Sequence, residues 1–132
     1  MSTIQVDTIQ DASGGNTSTS AEIQQGRAKA WVNFDGTFGS SPFTLGNNGI
    51  RNSFNVSSVT DNGTGNYTVT FATAMPNANY VVCMSGATDN NYTRAGTGGS
   101  SSLTASTAQV FIANSNGSSA DREYCAISIF GD

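Results

Sequence analysis

The sequence predicts an all-β protein: an antiparallel, β-sandwich-like body of six or seven strands behind a short N-terminal strand and helix. Three observations predict it. Short runs alternate apolar and polar residues with a period of two, as half-buried strands do. Gly, Asn, Asp and Pro cluster between those runs, where turns need them. The chain also carries seven Phe, four Tyr and one Trp at a net charge of only −4, whereas disordered chains combine high net charge with few aromatic residues.

The 132 residues make one domain, because a single core serves roughly 100–200 residues. We divide it into an N-terminal anchor and oligomerisation segment, residues 1–26, and a body, residues 27–132. Hydrophobic residues are 36% and charged residues 11%, both below the roughly 45–50% and about 25% of an ordinary soluble domain. Ser, Thr, Asn and Gly fill the difference. Five Lys and Arg without a cluster argue against binding nucleic acid through its phosphates. No run of 18 apolar residues occurs, so no membrane insertion is expected. The opening Met1 to Asp7 lacks the basic and apolar regions of a signal peptide, which predicts a chain made in the cytoplasm without export.

Ser2 to Gln10 alternates Ile4, Val6 and Thr8 against polar neighbours and reads as a strand. A Ser/Gly/Asn stretch from Asp11 to Ser18 loosens the chain. Thr19-Ser20-Ala21-Glu22 then has capping-box spacing, in which the Thr19 hydroxyl and the Glu22 carboxylate satisfy free amides at a helix start. Gly26 is the expected stop, taking the left-handed conformation. Ala28 to Phe34 places Ala30, Val32 and Phe34 on one face and Trp31 on the other. Asp35 to Gly49 reads as a long loop that nonetheless bears Phe38, Phe43 and Leu45. Ile50 to Val59 alternates through Phe54 and Val56, and Asn62-Gly63-Thr64-Gly65 marks a hairpin turn. Tyr67, Val69 and Phe71 share a face, and Tyr80, Val82 and Met84 begin the next strand. Gly86 to Ser102 reads as a low-complexity loop. Ser106 to Ala113 and Glu123 to Phe130 complete the set, with Cys125, Ile127 and Ile129 aligned.

Large inward side chains are few in these strands for a chain that must bury about two-thirds of its unfolded surface. Apolar side chains on a glycine-rich loop also need something to cover. Together these predict an obligate homotrimer whose subunits complete one another, with Ile4, Val6, Ile9, Ile23, Trp31, Phe38 and Phe43 as anchor and interface residues.

Gly26 to Gly36, Ile50 to Phe71 and Met75-Pro76-Asn77-Ala78-Asn79-Tyr80 together resemble a tail-fibre-like module of tailed-phage virion proteins, frequent in phages of aquatic bacteria and cyanobacteria. The resemblance covers roughly residues 26–85 and, more weakly, the last strand. Ser2 to Gln10 is similar to the segment that often begins such fibres. The resemblance implies a trimeric, β-rich appendage located on the virion, with other virion proteins as partners. Fibres usually carry long shafts, whereas here the anchor leads almost directly to the terminal-type module. A stub fibre, a tail accessory and a capsid decoration protein therefore all stay open. The resemblance brings no catalytic residues.

The chain has no His, which removes His-dependent nucleophile triads and most zinc sites. No enzyme activity, cofactor or metal is expected. Asp61, Asp89, Asp121 and Glu123 are the carboxylates nearest to a glycosidase pair, but each lies at a turn, where Asp serves local hydrogen bonds. Surface binding is the better reading. Asp89, Asn91, Tyr92 and Arg94 combine a ring, an amide and both charges, a mixture that suits a host-surface glycan or protein. Asn114 to Arg122 is a candidate addition to that site, and an ordinary exposed loop is the plainer alternative. Cys83 and Cys125 read as two buried free thiols, with a disulfide between neighbouring strands as the alternative.

Overall fold

The computed structural model describes residues 2, 5–88, 91–97, 102–114 and 116–131. Two short strands, β1 (Thr8–Ile9) and β2 (Ser18–Thr19), pair with each other and lead into the helix α1 (Ser20–Gly26). The eight that follow are β3 (Ala30–Phe34), β4 (Ile50–Phe54), β5 (Val56–Asp61), β6 (Asn66–Phe71), β7 (Val81–Thr88), β8 (Asn91–Thr97), β9 (Thr107–Ala113) and β10 (Tyr124–Phe130). They join in one antiparallel sheet of order β4-β3-β10-β7-β8-β9-β6-β5. The protein is all-β, with eight strands in this sheet rather than six or seven. The further strands come from Ile50 to Val59, expected as one run but broken at Asn55 into β4 and β5, and from residues 86–102, expected as a loop: β7 runs on to Thr88, and β8 pairs first with β7 and then with β9.

One residue decides how the sheet is shaped. β4 and β5 lie at opposite ends of the strand order, yet only Asn55 separates them. The sheet must therefore curl until its two ends approach. Asn55 holds the corner at φ 54, which an asparagine tolerates better than most residues. Its Nδ2 donates to Lys29 O at 3.2 Å and Thr73 O at 3.1 Å, and its Oδ1 accepts from Thr73 N at 2.8 Å.

The curl brings the inward residues of distant strands together. Ala30, Val32 and Phe34 of β3, Tyr67, Val69 and Phe71 of β6, Ala108, Val110 and Ile112 of β9, and Cys125, Ile127 and Ile129 of β10 form one buried cluster. Phe34 meets Tyr67 edge-on with ring centroids 5.0 Å apart. The alternation read from the sequence thus holds through these strands.

The single chain supplies more core than its strands alone provide, against the expectation of a deficit. Phe43, expected at a subunit contact, is fully buried in its own chain, between Phe34 at 6.0 Å and Tyr67 at 6.2 Å. Its backbone pairs with Val59 of β5, so the loop lies along that strand's edge and fills the end of the core. Phe38 packs partly buried behind it, with centroids 5.8 Å apart. Met75 and Tyr80, between β6 and β7, add two more buried side chains. The loops thus contribute core that the strand residues alone do not.

Two N-terminal expectations also change. Among the described residues, pairing is confined to Thr8–Ile9 against Ser18–Thr19 rather than running along the segment from Ser2 to Gln10. The capping box is present as expected, but α1 ends on an extended Arg27 with φ −84, not on a left-handed Gly26. No helix among the described residues is long and apolar enough to cross a membrane.

A candidate interaction surface

The two outward faces of the curled sheet differ in chemistry. Opposite register partners share a face, so the rows can be read across the strands. In the half made of β4, β3, β10 and β7, one outward row is Phe54, Trp31, Ser128 and Cys83, and the next is Asn52, Asn33, Ala126 and Ser85. Phe130 stands opposite Val81, and Tyr124 opposite Ala87. None of these twelve residues is charged. Phe54 is 55% exposed, Val81 61% and Tyr124 45%. Beside the half-buried Trp31 the small residues leave a shallow groove of about 510 Å³, walled by Asn33, Cys83, Ser85, Ala126 and Ser128. On the other half, Asn66, Thr68, Thr70, Thr107, Gln109 and Phe111 face outward, and Gln109 Nε2 donates to Asn66 Oδ1 at 2.8 Å. Apart from the half-buried Phe111, that face is wetted by amides and hydroxyls.

Arg51 closes one end of the apolar face. A bulge between Asn33 and Phe34 sets it out of the strand register. Its Nη1 donates to Phe34 O at 2.9 Å and Glu123 O at 2.6 Å, and its Nη2 lies 3.3 Å from Asp35 Oδ2. The guanidinium stacks on Tyr124 at 4.7 Å. At the Phe130 end, a groove of about 330 Å³ is shared by Val81, Phe130 and Gly131 with Gln25 of α1, so the N-terminal segment continues the same surface.

Among its described residues that segment has apolar side chains but no interior. α1 has no buried residue, and Val6, Ile9 and Ile23 are 51%, 56% and 40% exposed around a groove of about 260 Å³ that Gln24 and Arg27 complete. Ile4 of the expected anchor set lies outside the described residues. Isolated helices shorter than about 12–15 residues are marginal in water, so local hydrogen bonds hold this one in shape. Asp11 gathers donors from Ser13, Gly15 and Asn16. Its carboxyl is held below the ordinary value chiefly by the Ser13 and Asn16 side chains. Glu22 is lowered by the Thr19 backbone amide and then by its hydroxyl. Lowered carboxylates stabilise structure when ionised, and the contribution is lost as pH falls through the lowered values. Acidification is therefore expected to release the Thr19 and Gly15 amides only below the ordinary carboxylate range, followed as a loss of their hydrogen-bonded NMR shifts. Amides released at or above the ordinary carboxylate values would contradict this account.

The expected binding loop is placed differently. Asn91, Tyr92 and Arg94 belong to β8, with backbones opposite Thr88, Ala87 and Ala113, rather than to a free loop. Their side chains, and Asp89 altogether, lie outside the described residues. Two of the carboxylates weighed for catalysis, Asp121 and Asp61, are engaged in local hydrogen bonds, and Asp89 lies outside the described residues. Asp121 Oδ1 accepts from Gly65 N and from the Tyr67 hydroxyl, each at 2.7 Å, and Asp61 accepts from Gly63 N at 2.8 Å. Burial, reinforced by Asp121, pushes the Tyr67 hydroxyl well above its ordinary pKa. Among the described residues no group of three or more His, Cys, Asp or Glu is placed to hold a metal ion.

The cysteines correct a further expectation. Cys125 is buried and Cys83 exposed, and both are free. Cys125 stands opposite Gly86 while Cys83 stands opposite Ser128 on the outward face, so the sheet separates the thiols. Burial pushes the Cys125 thiol up to about 12, leaving it inert at neutral pH.

No protein-family model, curated protein or solved structure matches this chain.

Proposed function

We propose that this chain is a non-enzymatic virion structural protein of a tailed phage. In this reading it forms a short tail-fibre-type homotrimer of β-sandwich-like bodies, attached through residues 1–26 and contacting the host surface at the β7–β8 end. The observation that carries the reading is the N-terminal segment, which is shaped by its own hydrogen bonds yet leaves Val6, Ile9 and Ile23 in solvent. A segment with that arrangement gains its stability from what it docks against. The curled sheet, by contrast, has its own core and serves as a rigid carrier. The resemblance of residues 26–85 to tail-fibre modules gives the class of particle.

Deleting residues 1–26 should leave a folded β body that no longer joins particles, measured by the chain's abundance in purified virions. Unchanged incorporation would overturn the anchor. Abundance relative to the major capsid protein separates the two placements: a dozen or so copies fits a tail appendage, and hundreds fit the alternative, a capsid decoration protein. Replacing Tyr92 and Arg94 together by alanine tests host contact, which unchanged binding to cells would remove from that end of the sheet.

A further inference from the structure

We propose that copies of this chain meet through the outward face of β4, β3, β10 and β7, with Trp31 at its middle and the adjoining N-terminal segment completing the contact. This deepens the self-association in the function proposed above and rests on it. The first support is the difference between the two outward faces. A solvated face is expected to read like the Thr, Asn and Gln rows of β6 and β9, whereas Phe54, Trp31, Val81 and Phe130 stand on the other with small residues between them. Contiguous apolar patches rimmed by polar residues mark interaction sites.

Charge decides for a second copy as occupant. Identical faces repel if they carry a net charge, and a partner of opposite charge needs charged residues to read. The twelve sheet residues carry none, and the adjoining segment brings Asp7, Asp11 and Glu22 beside Arg27 and Lys29, so both signs of charge are present for copies to pair. The charged groups of Arg51, Asp35 and Glu123 are gathered at one end, where they bind one another. An uncharged sheet face flanked by charges of both signs sets up no net like-charge barrier against a second copy.

Area decides the extent. Four strands about 4.8 Å apart and about six residues long at roughly 3.3 Å each present on the order of 400 Å², whereas a stable interface needs about 800 Å² per partner. The sheet face alone falls short. The N-terminal segment adjoins it at Val81 and Phe130 through Gln25 and brings the exposed Val6, Ile9 and Ile23.

The face contains its own reporters. Trp31 is the single tryptophan, and Cys83, in the same row, is the exposed thiol. The test uses the full chain at micromolar concentration, with mass by light scattering, iodide quenching of Trp31 and reaction with a thiol reagent. The wild type is expected to be oligomeric, with Trp31 shielded and Cys83 at least tenfold slower than in the double variant Val81→Glu, Ser85→Glu. Both positions are exposed in the single chain, so that variant should keep its β circular dichroism while becoming monomeric. If it misfolds, Ala126→Lys asks the same question. A wild-type oligomer in which Trp31 and Cys83 are freely accessible, or one that the folded variants leave intact, overturns the face but not self-association. A wild-type monomer overturns both.

Discussion

Replacing Phe43 with alanine should lower the stability of the single chain by about 3–5 kcal/mol, the usual cost of removing a buried phenylalanine. Against a total of roughly 5–15 kcal/mol for a native domain, that is enough to unfold much of the population. The ring contacts Phe34, Phe38 and Tyr67, and the Phe43–Val59 backbone pairing holds the loop in place. An alanine would leave a void that the loop cannot easily close. Leu45, two residues further on and 54% exposed, is the matched control, and Leu45→Ala should change stability by less than about 0.5 kcal/mol. Urea denaturation of both variants at several protein concentrations checks this. If Phe43 instead served a subunit contact, Phe43→Ala would weaken association and leave the dissociated chain as stable as before.

Gly65→Ala should be as damaging, for a different reason. Gly65 sits at φ +66, and a Cβ there would collide with Ile112 O and lie 2.7 Å from Ala120 N. Neither backbone atom can withdraw cheaply, because Ala120 N donates to Ile112 O and Ile112 N donates to Gly65 O. The Gly65 amide also donates to Asp121, which accepts the Tyr67 hydroxyl as well. One methyl group therefore pushes on the turn, on β9 and on the Asp121–Tyr67 link together. Gly63, in the same turn at φ +117, has nothing within 4 Å of its would-be Cβ. Gly63→Ala should then show backbone strain alone, about 1–3 kcal/mol, and Gly65→Ala at least about 2 kcal/mol more, since overpacking adds a term of that size. Equal melting temperatures for the two variants would contradict this assignment.

Much of the sheet was legible in the residues because burial on one side of a strand imposes a period of two. Ala30, Val32 and Phe34, or Cys125, Ile127 and Ile129, announce an inward face without any knowledge of the partner strand. The Thr19–Glu22 box was legible because capping is a contact between residues three apart. The misreadings share a cause. β8 is polar and glycine-bearing, Asn91 to Thr97, and takes its strand conformation from β7 and β9 rather than from its own pattern. Phe43 looked like a surface residue because its neighbours are Ser, Pro and Gly. Only the folded loop shows that it reaches the core.

The sequence by itself determined the all-β class, the inward faces of the main strands, the hairpin turn before β6 and the capped helix start, since each depends on residues within a few positions of one another. Tertiary structure alone decided that β4 and β5 stand at opposite ends of one curled sheet, that Phe43 belongs inside, that Cys83 and Cys125 are separated, and that Trp31 shares an uncharged face with Phe54, Cys83 and Ser128. Those facts depend on which strands lie side by side. Such pairing joins segments as far apart as β3 and β10, and its stability comes from a core that exists only once the whole sheet has closed.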